Sequence, residues 1–116
     1  MKVIIAGGRD FDNYEVLRNY CDHVLQNQTD IEIVSGTAKG ADQLGEKYAK
    51  EKGYPVKQFP ADWSKGKSAG YVRNEEMAKY ADALIAFWNG LSKGTGHMID
   101  LAKKYKLKIR ICNYTM

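Results

Sequence analysis

The chain has 116 residues, 44% of them hydrophobic and 28% charged, enough for one ordinary globular domain over residues 1–116. No apolar run approaches the roughly 20 residues of a membrane helix. Its two cysteines, Cys21 and Cys112, lie far apart in apolar patterns without metal-ligating spacing, so buried thiols are expected rather than a disulfide or a metal site. The net charge of +4 points to anionic partners. Part of the excess sits in Lys103, Lys104, Lys106, Lys108 and Arg110. A helix C-terminus followed by a strand with solvated lysines accounts for that run.

The opening apolar stretch, Met1–Ala6, stops at Gly7-Gly8-Arg9-Asp10. That is short of a secretory core of about 7–15 residues, so an unprocessed cytoplasmic protein is expected. Lys2–Ala6 instead reads as a buried strand. Asp12 offers an N-cap for a helix carrying Val16, Leu17, Tyr20, Cys21, Val24 and Leu25 at helical spacing. Ile31–Ser35 is the second strand, and Ala41, Leu44, Tyr48 and Ala49 mark a second helix that Gly53 ends. Val56–Phe59 follows as a strand between two prolines, then a polar loop, Ala61–Ser68, and a helix over Ala69–Tyr80. Ala83–Trp88 is strand-like, a glycine-rich loop leads into a helix near Gly96–Tyr105, and Leu107–Cys112 closes the set. The alternation predicts an α/β, Rossmann-like domain, a parallel five-stranded sheet with helices on both faces, and the expected strand order is 3-2-1-4-5.

In such sheets ligands bind beyond the carboxyl ends of the strands, where strand order reverses. The unusual residues gather at those ends: Gly7, Gly8, Arg9, Asp10 and Phe11; Ser35, Gly36, Thr37, Lys39, Gly40 and Asp42; Trp63; and Trp88, Asn89, Gly90, Ser92, Gly94 and Thr95. Glycine lets backbone approach a ligand closely, and a helix starting there aims unpaired N–H groups at an anion. A phosphate-bearing, nucleotide-like ligand is expected.

Two familiar phosphate motifs do not fit. The first turn, Gly7-Gly8-Arg9-Asp10-Phe11, lacks the dinucleotide glycine spacing, and the second strand ends in Ser35-Gly36 rather than an acidic residue. Ala61–Ser68 resembles a P-loop, but Trp63 sits where the loop must wrap phosphates and Phe87-Trp88-Asn89 offers no magnesium-binding aspartate.

Taken together, Gly7-Gly8-Arg9-Asp10-Phe11, Ser35-Gly36 with Gly40-Ala41-Asp42, Ala61-Asp62-Trp63, Ala69-Gly70 with Arg73-Asn74 and Met77, and Ser92 with Gly94-Thr95 resemble the YspA-type domain of the SLOG superfamily. That superfamily includes the Lonely Guy phosphoribohydrolases and the DNA-processing protein DprA. The resemblance implies a site for nucleotides or nucleotide-derived signals, held as carrier, sensor or sequestering protein, with no cofactor. Arg73 looks like the Lonely Guy arginine and Gly94-Thr95 like its phosphate-binding pair, while the glutamate position falls on Met98. Methionine supplies neither charge nor proton transfer, so N-glycosidic cleavage would need Asp10 or Asp42 to serve instead, with Arg73 as the third candidate catalytic residue.

Arg73 is the candidate phosphate ligand, with a salt bridge to Glu75 or Glu76 as its structural alternative. Ser92 and Thr95 either donate hydroxyls to the phosphate or cap the last helix. Arg9 and Lys39 are candidate charge partners, and Asp10 accepts ribose hydroxyls or caps its turn. Trp63 and Trp88 stack on a base or, for Trp88, pack in the core. A homodimer or higher homo-oligomer is expected from Trp63 and the tyrosines and from the habit of SLOG relatives. A DprA-like single-strand nucleic-acid binder is the less favoured alternative.

Overall fold

The computed structural model describes residues 1–115. Ten elements follow one another: β1 (Lys2–Gly7), α1 (Tyr14–Leu25), β2 (Glu32–Ser35), α2 (Ala41–Lys52), β3 (Val56–Gln58), a short 3-10 turn (Trp63–Lys65), α3 (Ala69–Tyr80), β4 (Ala83–Trp88), α4 (Lys93–Lys104) and β5 (Lys108–Asn113). The strands form a five-stranded sheet in the order β3-β2-β1-β4-β5, and every pairing is parallel. Fold class and strand order are those expected from the sequence.

Alternation along the strands sorts the core into two layers. Val3 and Ile5 of β1, Ile33 of β2 and Ile85 and Phe87 of β4 pack with Leu17, Cys21 and Tyr48 of α1 and α2. Ile4, Val34 and Leu84 turn the other way, onto Met77, Met98 and Leu101 of α3 and α4. Central strands buried on both faces explain why β1 and β4 read as unbroken apolar runs. At the edge, β5 alternates instead, leaving Lys108 and Arg110 exposed.

Several strand ends shift by one residue from the sequence reading, and two helix starts differ for local reasons. The first helix is capped by Asn13 rather than Asp12, because Asn13 Oδ1 accepts the Val16 N–H at 3.1 Å. The last helix starts at Lys93, three residues before Gly96, because Ser92 caps it through the Thr95 N–H at 3.4 Å. Gly94 and Gly96, poor helix formers, lie inside its first turns and hide that start. Gly53 ends α2 in the left-handed conformation, its N–H directed to the Ala49 and Lys50 carbonyls. Among the described residues no helix is long and apolar enough to cross a membrane.

Candidate functional site

Strand β1 is flanked by β2 on one side and β4 on the other, so successive crossovers run in opposite directions from it and leave a crevice at its carboxyl end. A cavity of about 570 Å³ opens there, within the range of small-molecule sites. The β1 end contributes Gly7, Gly8, Arg9 and Asp10; the loop into α2 and its first turn contribute Ala38 and Asp42. Helix α3 adds Arg73, Asn74 and Met77, and the β4–α4 connection adds Asn89, Leu91, Ser92, Gly94, Thr95 and Met98.

The Gly8 carbonyl ties two of these walls together. It accepts the N–H groups of Phe11 and Ala41, each at 3.2 Å, while the Gly8 N–H reaches the Phe87 carbonyl at 3.2 Å. The start of α2 is thereby docked on the β1 loop, with Gly40 turning between them at φ 79°. In the same loop Thr37 takes a positive φ of 65°, and its N–H is accepted by Ser35 Oγ at 3.0 Å. Ser35 in turn donates to Glu46 at 2.6 Å. Ser35 is therefore scaffolding for the loop, buried away from the cavity.

Asp42 and Arg73 form the charged centre. Asp42 Oδ2 accepts the Ala38 N–H at 3.1 Å, closing the loop on itself. Burial pushes its carboxyl up to about 6, against the lowering pull of the Ala38 N–H and of the Arg73 and Arg9 charges. Arg73 donates from Nη1 to the Gly36 carbonyl and from Nε to Asn74 Oδ1 at 3.0 Å. Its remaining guanidinium donors are left for the cavity. The alternative pairing with Glu75 is not formed; that carboxylate meets Lys104 at 3.5 Å and the Tyr105 hydroxyl at 3.0 Å. Buried Asn74 extends the network to α4, its Nδ2 donating to the Gly94 carbonyl at 3.4 Å.

The first turn of α4 forms the opposite wall. Asn89 Oδ1 accepts the N–H groups of Leu91 and Ser92 at 2.8 and 3.0 Å, which folds the loop ahead of the helix. Ser92 Oγ lies 3.0 Å from Thr95 Oγ1, so both hydroxyls are engaged with each other and with the helix cap. The Lys93 and Gly94 N–H groups carry no intrahelical acceptor, and the helix dipole adds positive potential at this wall.

Several residues singled out from sequence stand elsewhere. Phe11 is core, stacked on Phe87 with centroids 5.0 Å apart. Trp88 donates its indole N–H to the Ser92 carbonyl at 3.0 Å and, with Gly90, lines a neighbouring depression beside α4. Gly36, Thr37, Lys39 and Gly40 shape the loop behind Asp42 without lining the cavity. Trp63, 56% exposed, lies over Gly70 in an adjoining hollow that shares Arg9, Arg73, Asn74 and Gly94 with the main cavity and adds Lys67 and Tyr71. Ala38, Met77 and Leu91 are wall residues that carry no polar or glycine signal in the sequence.

Comparison with known proteins places the chain in a family by its first half. A model of the YspA, cpYpsA-related SLOG family matches residues 1–66. Among solved structures the chain is similar to DNA processing protein A from Helicobacter pylori, described for its single-stranded DNA binding mode, with a TM-score of 0.69 and 18% identity. The match covers 100% of this chain, which spans 66% of the length of that one. A search of curated proteins found no match.

Proposed function

The chain belongs to the YspA, cpYpsA-related SLOG family, and from that premise we propose that it binds a nucleotide or nucleotide-derived molecule through its phosphate, in the cavity at the end of β1. One observation carries the reading. Arg73, anchored by Gly36 and Asn74, lines the same nucleotide-sized cavity as Gly94, whose N–H in the first turn of α4 has no intrahelical acceptor. A fixed guanidinium in one cavity with a helix N-terminus is an arrangement suited to a phosphate dianion. Carrier, sensor and sequestering roles all need only this binding step. Calorimetric titration with AMP, ADP-ribose and cyclic nucleotides tests it, and at least one should bind at ordinary salt. No binding across that panel, together with no nucleotide recovered from the purified protein, overturns the reading.

A second reading has its own support. The hollow beside the cavity interleaves the aromatic rings of Trp63 and Tyr71 with Arg9, Lys67 and Arg73. Basic groups alternating with stacking surfaces suit a single strand of nucleic acid, and the similar structure from Helicobacter pylori is described as binding single-stranded DNA. In this reading the cavity holds one phosphate of a strand whose neighbouring base lies on Trp63.

A further inference from the structure

Just after β5, Tyr114 reaches Asp10 at the rim of the cavity. The Tyr114 N–H bonds the Trp88 carbonyl at 3.1 Å, and its ring packs on Phe11 with centroids 4.9 Å apart, tilted by 58°. From that seat the Tyr114 hydroxyl donates to Asp10 Oδ1 at 2.8 Å. Gly8 makes room for the pair: a Cβ there would overlap the Tyr114 hydroxyl and lie 2.7 Å from Asp10 Oδ1. Phe11 is thus the shelf for Tyr114, Gly8 the gap for its hydroxyl and Asp10 its acceptor.

We propose that Tyr114 is a positioning residue that holds Asp10 so that its second carboxylate oxygen accepts a hydroxyl of the ligand's sugar, which makes the site selective for ribonucleotides over their deoxy counterparts. The proposal deepens the nucleotide reading and rests on it. Its chemical basis is the uneven distribution of donors and acceptors around the cavity. Arg9, Arg73 and the first turn of α4 all present donors, suited to an anion. Of the two carboxylates lining the cavity, Asp42 is buried and closed onto Ala38. Asp10 is exposed at the rim. An ionised carboxylate only accepts hydrogen bonds and repels phosphate, so the ligand group opposite Asp10 must be a donor. Sugar hydroxyls are the donors a nucleotide carries next to its phosphate. With Oδ1 taken by Tyr114, the carboxylate plane is fixed and Oδ2 is the oxygen left to the ligand. Burial, reinforced by the hydrogen bond to Asp10, pushes the Tyr114 phenol up to about 12. It therefore remains a donor across the neutral range.

A site built around a hydroxyl rejects the analogue lacking it more strongly than a merely snug pocket would. The test compares AMP, 2′,3′-dideoxy-AMP and inorganic phosphate by calorimetry on wild type, Tyr114→Phe and Asp10→Asn. Wild type should prefer AMP over the dideoxy analogue by on the order of tenfold, the typical value of one charge-assisted hydrogen bond. Tyr114→Phe keeps the ring on Phe11 and should lose most of that preference while binding the dideoxy analogue and phosphate as before. Asp10→Asn should abolish the preference. A ligand-free readout is the Tyr114 ring carbon shift followed by NMR against pH: its titration should move from about 12 towards the ordinary 10.0 in Asp10→Asn. An unchanged AMP preference in a folded Tyr114→Phe overturns this inference alone. Wild type that binds none of the three probes, nor ADP-ribose or a cyclic nucleotide, and from which no nucleotide is recovered, overturns the nucleotide reading and the inference together.

Discussion

Arg73 and Asp42 flank Gly36, where a Cβ would stand 2.8 Å from both Arg73 Nη1 and Asp42 Oδ2. The absence of a side chain at one position is what allows a guanidinium from α3 and a carboxylate from α2 to share one end of the cavity. Gly36→Ala should accordingly push the two apart. Its effect on ligand affinity should approach that of removing Arg73, as titration of the folded variant would reveal.

Asp42 gives the fold a pH dependence of definite sign. Its folded pKa, about 6, lies above the ordinary 3.8, so the native state holds the proton more tightly than the unfolded chain. The associated stability is complete below pH 3.8 and is lost as pH rises through 6. The full loss is about 3 kcal/mol, at 1.36 kcal/mol per pKa unit. Asp42→Asn keeps an oxygen for the Ala38 N–H and removes the charge. Urea unfolding should find it as stable as wild type near pH 4 and more stable by up to about 3 kcal/mol at pH 8. A wild type that is instead stabilised between pH 4 and 7 relative to Asp42→Asn would show that Arg73 outweighs burial.

Removing Arg73 separates binding from folding. If its guanidinium pairs with a ligand phosphate, Arg73→Ala should weaken binding by on the order of 2–5 kcal/mol. Arg73→Lys should recover only part of this, because an ammonium lacks the planar fork. Stability at pH 8 should fall by about 1 kcal/mol through the lost bond to Gly36, and Asp42 should titrate still higher without its neighbour. Calorimetry and urea unfolding on the same samples read the two effects independently.

Legibility from sequence followed the range of the interactions. Element types and helix placement rest on periodicity over a few residues, and β4 and α3 have the bounds, Ala83–Trp88 and Ala69–Tyr80, that their patterns predict. The glycine-marked loops were visible for the same reason. Side-chain direction was not: Phe11 sits beside Asp10 in one short loop, yet one is core and the other rim, because Phe87 lies under the first. Tyr114 meets Asp10 across 104 residues, and no local pattern marks such a pair. Trp88 looked ambiguous because a residue closing an apolar strand can turn to either layer, and its indole N–H found the Ser92 carbonyl.

Salt separates the nucleotide reading from the single-strand reading. Each phosphate neutralised by a lysine or arginine releases counterions, so strand affinity should fall steeply with salt, with a log–log slope near −0.7 per contact. If a strand binds, the hollow beside the cavity is its expected path, and Trp63→Ala and Lys67→Ala should weaken it. Lys106 and Lys108 follow the opposite end of the sheet, after α4 and at the start of β5. Replacing them should leave binding unchanged. Length-dependent binding at physiological salt would promote the single-strand reading over the nucleotide one.

Self-association is expected through the outer face of α3, where Tyr71 and Val72 are 47% and 56% exposed and Trp63 adds another exposed ring. Light scattering should find a dimer for wild type and a monomer for Val72→Glu. Monomer at high concentration for both, with and without ligand, would remove the oligomer from the account.

The final prediction concerns turnover. Met98, 1% exposed, stands on the cavity wall from α4, and Asp10 and Asp42 are the carboxylates that line the cavity. Cleaving an N-glycosidic bond calls for a carboxylate that stabilises a cationic sugar centre or activates water. Asp42 is buried and accepts the Ala38 N–H, and Asp10 is held by Tyr114 with its other oxygen directed to a sugar hydroxyl, so neither is left to activate water or meet a cationic sugar centre. Purified protein should therefore bind nucleoside monophosphates and release little free base over hours. Met98→Ala should cost about 2–4 kcal/mol of stability through the cavity it leaves in the α4 layer. It should leave base release at the same low level, because the thioether contributes packing and no proton transfer. Chromatography of the free base decides the matter. Rapid release by wild type would make the site catalytic, and the two carboxylates then give different signatures. Loss in Asp42→Asn with a pH limb near 6 would assign the proton transfer to the buried acid. Loss in Asp10→Asn, with that limb unmoved, would assign the work to the rim carboxylate that Tyr114 holds.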